Sequence, residues 1–269
     1  MNDTLQDSIT TLLRFREERL ADVLERIYFR RDCSNLNSLM ARVESHALAM
    51  GMYGFYVEGD AAKLKQWFHV AARVRLADPS RDLGPGSWLL HALLSDNEAT
   101  IQLAAKASSA ELRKSGANPL YSAFHHRMIQ QAILGEDEAL RQSIAKLAKN
   151  GEKKYRKPAA AGTDFYSLLL ARDHDGLTRL IHESAKINSA DVLFEDVMSH
   201  VAALQAKLCW RRGIEVQIDS PMVPMELMPV RPLSHYDDVY EFIRPGWVPP
   251  RQGLLGRIER LFRKTTIPR

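Results

Sequence analysis

The sequence has little of what secreted or membrane-spanning proteins need. Among its 269 residues only Cys33 and Cys209 are cysteines, and two cysteines so far apart argue against a disulfide framework and for a reducing compartment. No apolar run approaches the roughly 18 residues that cross a membrane. The first residues are polar and acidic, unlike a secretory signal. We therefore expect a cytoplasmic protein without a membrane span.

The sequence also lacks the motifs of catalysis. The stretch Gly84-Pro85-Gly86 has no further glycine at the spacing of a phosphate-binding loop. No His-Glu-x-x-His helix and no close cysteine pair suits zinc. His125 and His126 are adjacent, so on a helix they point about 100° apart and cannot easily share a metal. Asp196 and His200 are one helical turn apart and could ligate an ion, although residues at this spacing more often form a salt bridge at the protein surface. We expect no enzyme, no cofactor and no metal.

Positive charge is concentrated at the end of the chain. The formal net charge is +4, and residues 240–269 alone carry seven Arg or Lys against two Glu, which leaves the remainder near neutral. This basic tail predicts a small amphipathic helix that docks on protein, or alternatively on an anionic surface. A second basic stretch, 149–158, predicts a solvated loop, with nucleic-acid contact as the alternative.

The sequence does contain an acidic turn that occurs four times, at residues 55–60, 93–98, 133–138 and 169–175. Each turn follows an apolar run and precedes an amphipathic one. The first large aliphatic residues after the turns recur every 37 to 39 residues: Leu64, Ile101, Leu140 and Leu177. A repeat of this length predicts paired helices stacked side by side. Gly or a small polar residue would end each first helix, and an acid would cap the second.

The predicted fold class is therefore all-α, a solenoid-like array of stacked antiparallel helical hairpins with a short extended, proline-rich C-terminal lid. We predict one domain over residues 1–243, followed by the basic tail 244–269. After a long first helix at 3–30, its predicted parts are hairpins at 35–77, 87–107, 119–149 and 163–185, a closing helix at 191–212 and the lid at 213–243. Helical periodicity places Leu120 and Val201 on inward faces. The alternation from Ile214 to Ile218 predicts an extended segment.

The last part of this region is unusual in its residues. It runs Ala206-Lys-Leu-Cys-Trp210-Arg-Arg-Gly213-Ile-Glu-Val-Gln-Ile218-Asp-Ser-Pro221 and continues to Ile243. This run resembles the immunity protein 49 family of bacterial polymorphic toxin systems, and the likeness extends to Gly59–Phe68 and Asp164–Tyr166. The resemblance implies a mostly helical cytoplasmic protein, encoded beside a toxin, that binds and neutralises it by occlusion. It also implies scaffold roles for a set of signature residues: Trp67, Trp210, Gly213, Pro221, Pro224, Tyr236 and Tyr240.

Two functions stay open at this point. The first is neutralisation of a nuclease-type toxin whose basic cleft meets acids of the repeated turns. These seven turn acids are Glu58, Asp60, Asp96, Glu98, Asp137, Asp173 and Asp175; alternatively, they only cap helices. The second is a helical-repeat adaptor that binds a peptide or nucleic acid through Lys153–Lys157 and the basic tail. A homo-oligomer is open under either function.

Overall fold

A computed structural model of the chain describes residues 3–30, 36–77, 83, 86, 88–186, 194, 197–244, 246–247 and 258. These residues form α-helices and short 3-10 turns and contain no β-strand, so the all-α prediction is confirmed. The chain divides into two compact units. The first unit comprises Met1–Arg81 with Leu233–Arg269, and the second comprises Asp82–Pro232. The expectation of one domain over residues 1–243 stays a prediction.

The described residues of the first unit include three helices. They are α1 (Asp3–Glu25), which continues into a π-helical turn at Arg26–Arg30, α2 (Leu36–Tyr56) and α3 (Ala61–Ala77). The predicted long first helix and first hairpin are thus present. Helices α2 and α3 pack closely at Gly51. A Cβ atom added there would lie only 2.7 Å from the ring of Phe68. A larger residue at this crossing would push the two helices apart.

Residues 233–243 belong to this first unit. The side chain of Gln66 donates to Asp237 O at 2.8 Å and accepts from Asp237 N at 3.0 Å. The Tyr28 hydroxyl accepts from Glu241 N at 2.9 Å, just before the 3-10 turn Glu241–Ile243. The predicted lid 213–243 is therefore divided, its first part lying in the second unit and its last part in the first.

The second unit contains nine helices among its described residues. They are α4 (Leu89–Ser95), α5 (Glu98–Lys106), α6 (Ala110–Ser115), α7 (Ser122–Leu134), α8 (Asp137–Asn150), α9 (Lys153–Ala161), α10 (Phe165–Ala171), α11 (His174–Ser184) and α12 (His200–Arg211). Helix pairs therefore fall where the hairpins were predicted. The four periodic aliphatic residues, Leu64 in the first unit and Ile101, Leu140 and Leu177 in the second, are fully buried.

The repeated turn has one backbone design. A residue in the left-handed region ends the first helix each time: Gly59, Asp96, Gly135 and Arg172. The next residue starts the second helix. Asp60 accepts from Ala62 N at 2.9 Å, Asn97 from Thr100 N at 2.9 Å and Asp173 from Gly176 N at 2.9 Å, whereas the Glu136 side chain caps nothing. Free N–H groups at a helix start are satisfied in this way.

Three local predictions need correction. Residues 153–161 form α9 and not a basic loop, since Ala159–Ala161 favour a helix and Gly162, at φ 69°, ends it. Helix α6 was not predicted; the Ser109 hydroxyl starts it by accepting from Leu112 N at 3.2 Å. The closing helix begins at His200 and not near residue 191, with Ser199 as its N-cap.

Helix α12 is the centre of the second unit. It packs against both α4 and α11, the first and last predicted hairpins of that unit. Most of its residues are buried: Ala202, Ala203, Leu204, Ala206, Lys207, Leu208 and Cys209. From Ile214 to Ile218 burial alternates residue by residue, and the Trp210 indole donates to Val216 O at 3.0 Å. The stacked array of helical hairpins and the proline-rich lid stay predictions.

Candidate functional site

Asp96, one of the seven turn acids, is buried and cannot reach a partner. Its carboxylate lies 2.7 Å from the Lys207 ammonium, and both side chains are 0% exposed. Lys207 also donates to Leu227 O at 2.7 Å and Met228 O at 3.1 Å, and Asp96 Oδ2 accepts from Arg231 N at 3.1 Å. A buried ion pair needs such additional hydrogen bonds. The expectation that Asp96 contacts a toxin is therefore wrong.

Two further turn acids are paired at the C-terminal end of α12. Arg211 donates to Glu98 at 2.8 Å, and Arg212 donates to Asp137. Although partial burial acts to raise the pKa of Glu98, hydrogen bonds from Gln102 and Arg211 hold it below its ordinary value. These arginines tie the turns before α5 and α8 to the end of α12.

The turn before α11 reaches the same place. The Arg172 guanidinium donates to Arg212 O at 3.0 Å and Gly213 O at 3.1 Å. Cations are favoured where a helix ends with free carbonyl groups. Gly213, with φ 69°, ends α12 as predicted. Three repeated turns thus meet the end of one central helix.

The remaining turn acids serve their own hairpins. Glu58 pairs with Lys63 at 2.6 Å, and Asp60 and Asp173 cap α3 and α11. Asp175 extends into solvent with 86% of its side chain exposed. Solvent-exposed ion pairs contribute little to stability, whereas caps satisfy the free N–H groups at a helix start. Most of the turn acids therefore have a partner within the fold, and their role toward a toxin stays a prediction.

An apolar groove in the second unit is the most prominent candidate for a binding site. Its volume is about 470 Å³, and it lies between the start of α7, α9, α10 and the start of α12. Four of its large apolar side chains are 39% to 55% exposed: Leu120, Tyr121, Tyr155 and Val201. The predictions that Leu120 and Val201 face inward are wrong, since no helix of the described residues covers that face. Clustered apolar exposure of this kind marks interaction surfaces.

Aromatic rings and cations lie together along one side of the groove. The Tyr155 ring lies 4.4 Å from the His125 ring, and the Lys154 ammonium lies 4.7 Å above Tyr155. Lys154 also pairs with Glu152 at 3.3 Å. Burial lowers the pKa of His125 from its ordinary value, Glu152 opposes that shift and Lys154 adds to it. On this side of the groove, the rings of His125 and Tyr155 therefore lie next to the cations of α9.

The signature residues lie in structural positions. Tyr240 is 2% exposed, and the Tyr236 hydroxyl accepts from Leu233 N at 3.0 Å. Trp67 is half-buried, with its ring edge against His46. Pro221 is exposed, and Pro224 precedes the 3-10 turn Met225–Leu227. None of these placements by itself assigns a contact with a partner.

The metal hypothesis for Asp196 and His200 falls partly outside the described residues, since Asp196 is not among them; His200 lines the groove. Within the described part of the chain, no three His, Cys, Asp or Glu side chains cluster as a metal ion requires. Nor does that part include a helix with the length and apolar character of a membrane span.

Comparison with protein families decides the kind of protein. The family model described as Immunity protein 49 matches residues 58–227, more than half of the chain. The chain belongs to the immunity protein 49 family. The match begins at Glu58, in the first repeated turn, and ends at Leu227, whose carbonyl accepts from Lys207. It therefore contains the repeated turns, the buried ion pair and the groove. No curated protein and no solved structure matches the chain.

Proposed function

We propose that this immunity protein binds one cognate toxin domain in the cytoplasm and neutralises it by covering its working surface. Membership of the immunity protein 49 family carries this proposal. The groove supports it, because a rigid helical surface with clustered apolar side chains favours binding of another protein. Neutralisation by occlusion requires no chemistry from the chain itself.

We propose further that the toxin is of the nuclease type. Every turn acid except Asp96 retains some solvent exposure, and these acids would face cations that hold phosphate groups in such a toxin. Asp96 has no part in this surface. The electrostatic contribution would act mainly on the rate of association.

Co-expression with the toxin domain encoded beside this chain tests the proposal. We expect growth to be restored and the two proteins to co-purify at a ratio of one to one. Protection should require as many immunity molecules as toxin molecules, because occlusion does not turn over. Absence of both growth rescue and a complex would contradict toxin binding, and rescue by substoichiometric amounts would contradict occlusion.

A helical-repeat adaptor is the second candidate, and α9 favours it because its exposed cations adjoin Tyr155. Nucleic acid bound through such cations dissociates steeply as salt rises. Fluorescence anisotropy of a labelled single-stranded RNA over a salt series would detect this behaviour. Deletion of residues 245–269 should weaken RNA binding under this function and leave toxin neutralisation unchanged under the first.

A further inference from the structure

We infer that the groove formed by α7, α9, α10 and the start of α12 docks an amphipathic segment of the toxin, one that presents bulky apolar side chains next to acidic residues. This inference rests on the proposed toxin-binding function and names the part of the surface that carries it. Two of the turn acids, Glu98 and Asp137, pair instead with the opposite, C-terminal end of α12. Toxin contact through the groove is therefore independent of those acids.

The apolar lining is the first argument for this occupant. Leu120, Tyr121, Tyr155 and Val201 project from three separate segments into one cleft. Beneath them, Ile129, Phe165 and Leu204 are at most 8% exposed, so the walls are set by the core of the unit. A preformed cleft loses little conformational entropy on binding. Tyrosine is also prominent among residues that dominate binding energies in interfaces.

The charge of α9 is the second argument. Lys153, Lys154, Arg156 and Lys157 are all exposed on this short helix. Glu152, an acid of the groove lining, is paired with Lys154. The rim on this side is thus net positive, which favours acidic residues in the docked segment. A second copy of the chain is disfavoured, because a two-fold contact through the groove would bring two such cationic helices together.

The composition of the groove favours a protein segment over nucleic acid. Nucleic-acid bases stack on aromatic rings, and Tyr121 and Tyr155 offer such rings. Leu120 and Val201, however, contribute exposed aliphatic surface that bases do not use well. Apolar side chains of an amphipathic helix fit a groove of mixed aliphatic and aromatic lining.

The first arm of the test removes apolar contacts. The double variant Tyr155→Ser with Val201→Ser is compared with Leu103→Ser, since Leu103 on α5 is 49% exposed, as Val201 is, and lies outside the groove. Calorimetric titration of the co-encoded toxin domain should show binding weakened about tenfold or more by the groove variant, as for interface anchors. The Leu103→Ser variant should bind as the wild type does. Circular dichroism verifies that both variants are folded.

The second arm reverses charge. Lys153→Glu with Lys157→Glu is compared with Arg113→Glu with Lys114→Glu on α6, where both side chains are exposed. Stopped-flow association with the toxin should slow about tenfold for the α9 variant at low salt and little for the α6 variant. Faster association of the α9 variant would show a basic segment and overturn the inference.

The remaining outcomes separate the inference from the function on which it rests. If the wild type forms no toxin complex, the proposed function fails as well. If it does and the groove variant binds equally well, the groove inference alone fails. A wild-type dimer that the groove variant converts to a monomer would assign the groove to a second copy. Loss of RNA binding by the groove variant, with toxin binding intact, would assign it to nucleic acid.

Discussion

The two ends of α12 differ in how their side chains are used. At the C-terminal end Arg211 and Arg212 pair with Glu98 and Asp137, and Arg172 caps the last carbonyls. At the N-terminal end Val201 is 49% exposed and opens onto the groove with Leu120, Tyr121 and Tyr155. One end is closed by contacts within the fold, whereas the other presents apolar surface to solvent.

This difference shows which residues hold the unit together and which are available to a partner. Acids are the residues that sequence patterns favour as a contact surface, yet in the second unit they mostly stabilise the fold. Leu120 and Val201, two apolar residues that periodicity assigns to inward faces, are instead exposed. Substitutions at either end of α12 test this difference.

The largest effect is expected at the buried pair in the middle of α12. Lys207→Met leaves the Asp96 carboxylate buried without its cation, which should lower the free energy of unfolding by about 3–5 kcal/mol. Urea denaturation measures the loss. Adding Asp96→Asn should restore part of it, because Asn is neutral and tolerates the left-handed backbone at this position. A double variant no better than Lys207→Met would show that the charge is not the cause.

A smaller loss is expected at the C-terminal end. Arg212→Ala removes the pair with Asp137, which is partly exposed, and should lower the free energy of unfolding by about 1 kcal/mol or less. The matched variant Arg141→Ala breaks a fully exposed pair with Glu138 and should have a still smaller effect. Equal losses in the two variants would contradict a special role for the end of α12.

A pH-dependent effect is expected beside the groove. Burial lowers the pKa of His125 in the folded chain, so its contribution to stability is present above the unfolded pKa of about 6.5 and is lost as pH falls below it. His125→Gln should remove this part of the pH dependence. Thermal unfolding between pH 7.5 and 5, compared for the two proteins, measures it. An unchanged slope would show that His125 titrates normally.

The smallest effect is expected for the exposed groove residues themselves. Val201→Ala should change the free energy of unfolding by about 0.5 kcal/mol or less, as surface substitutions do. The matched variant Leu204→Ala, one turn later and 7% exposed, should lower it by about 2–5 kcal/mol. If Val201→Ala is as destabilising as Leu204→Ala, the groove residue belongs to the core after all.

The fold was predictable to the extent that it depends on local pattern. The four turns and their buried aliphatic residues follow from spacing, and the predicted hairpin at 35–77 contains α2 and α3. Helix α9 was missed because Pro158 and a run of charged residues favour a loop, while the alanines and Gly162 that favour a helix come afterwards. Competing local signals of this kind cannot be ranked from sequence alone.

The candidate site was less predictable, since it depends on distant parts of the chain. The burial of Asp96 follows from Lys207, which is far along the sequence and reaches it only through the packing of α12 on α4. Periodicity identified an apolar face at Leu120 and another at Val201, but it cannot tell whether a third element covers them. Tyr121 and Tyr155 belong to no periodic pattern or motif in the sequence, so they were not predicted as site residues.

The exposure of the groove side chains has a consequence for how such a protein diversifies. Leu120, Tyr121, Tyr155 and Val201 rest on walls whose stability comes from deeper residues. Their identities can therefore drift through single substitutions while the scaffold persists. Under the proposed function, such a protein can follow changes in its toxin through these residues without first acquiring the additional stability that substitutions in a core would require.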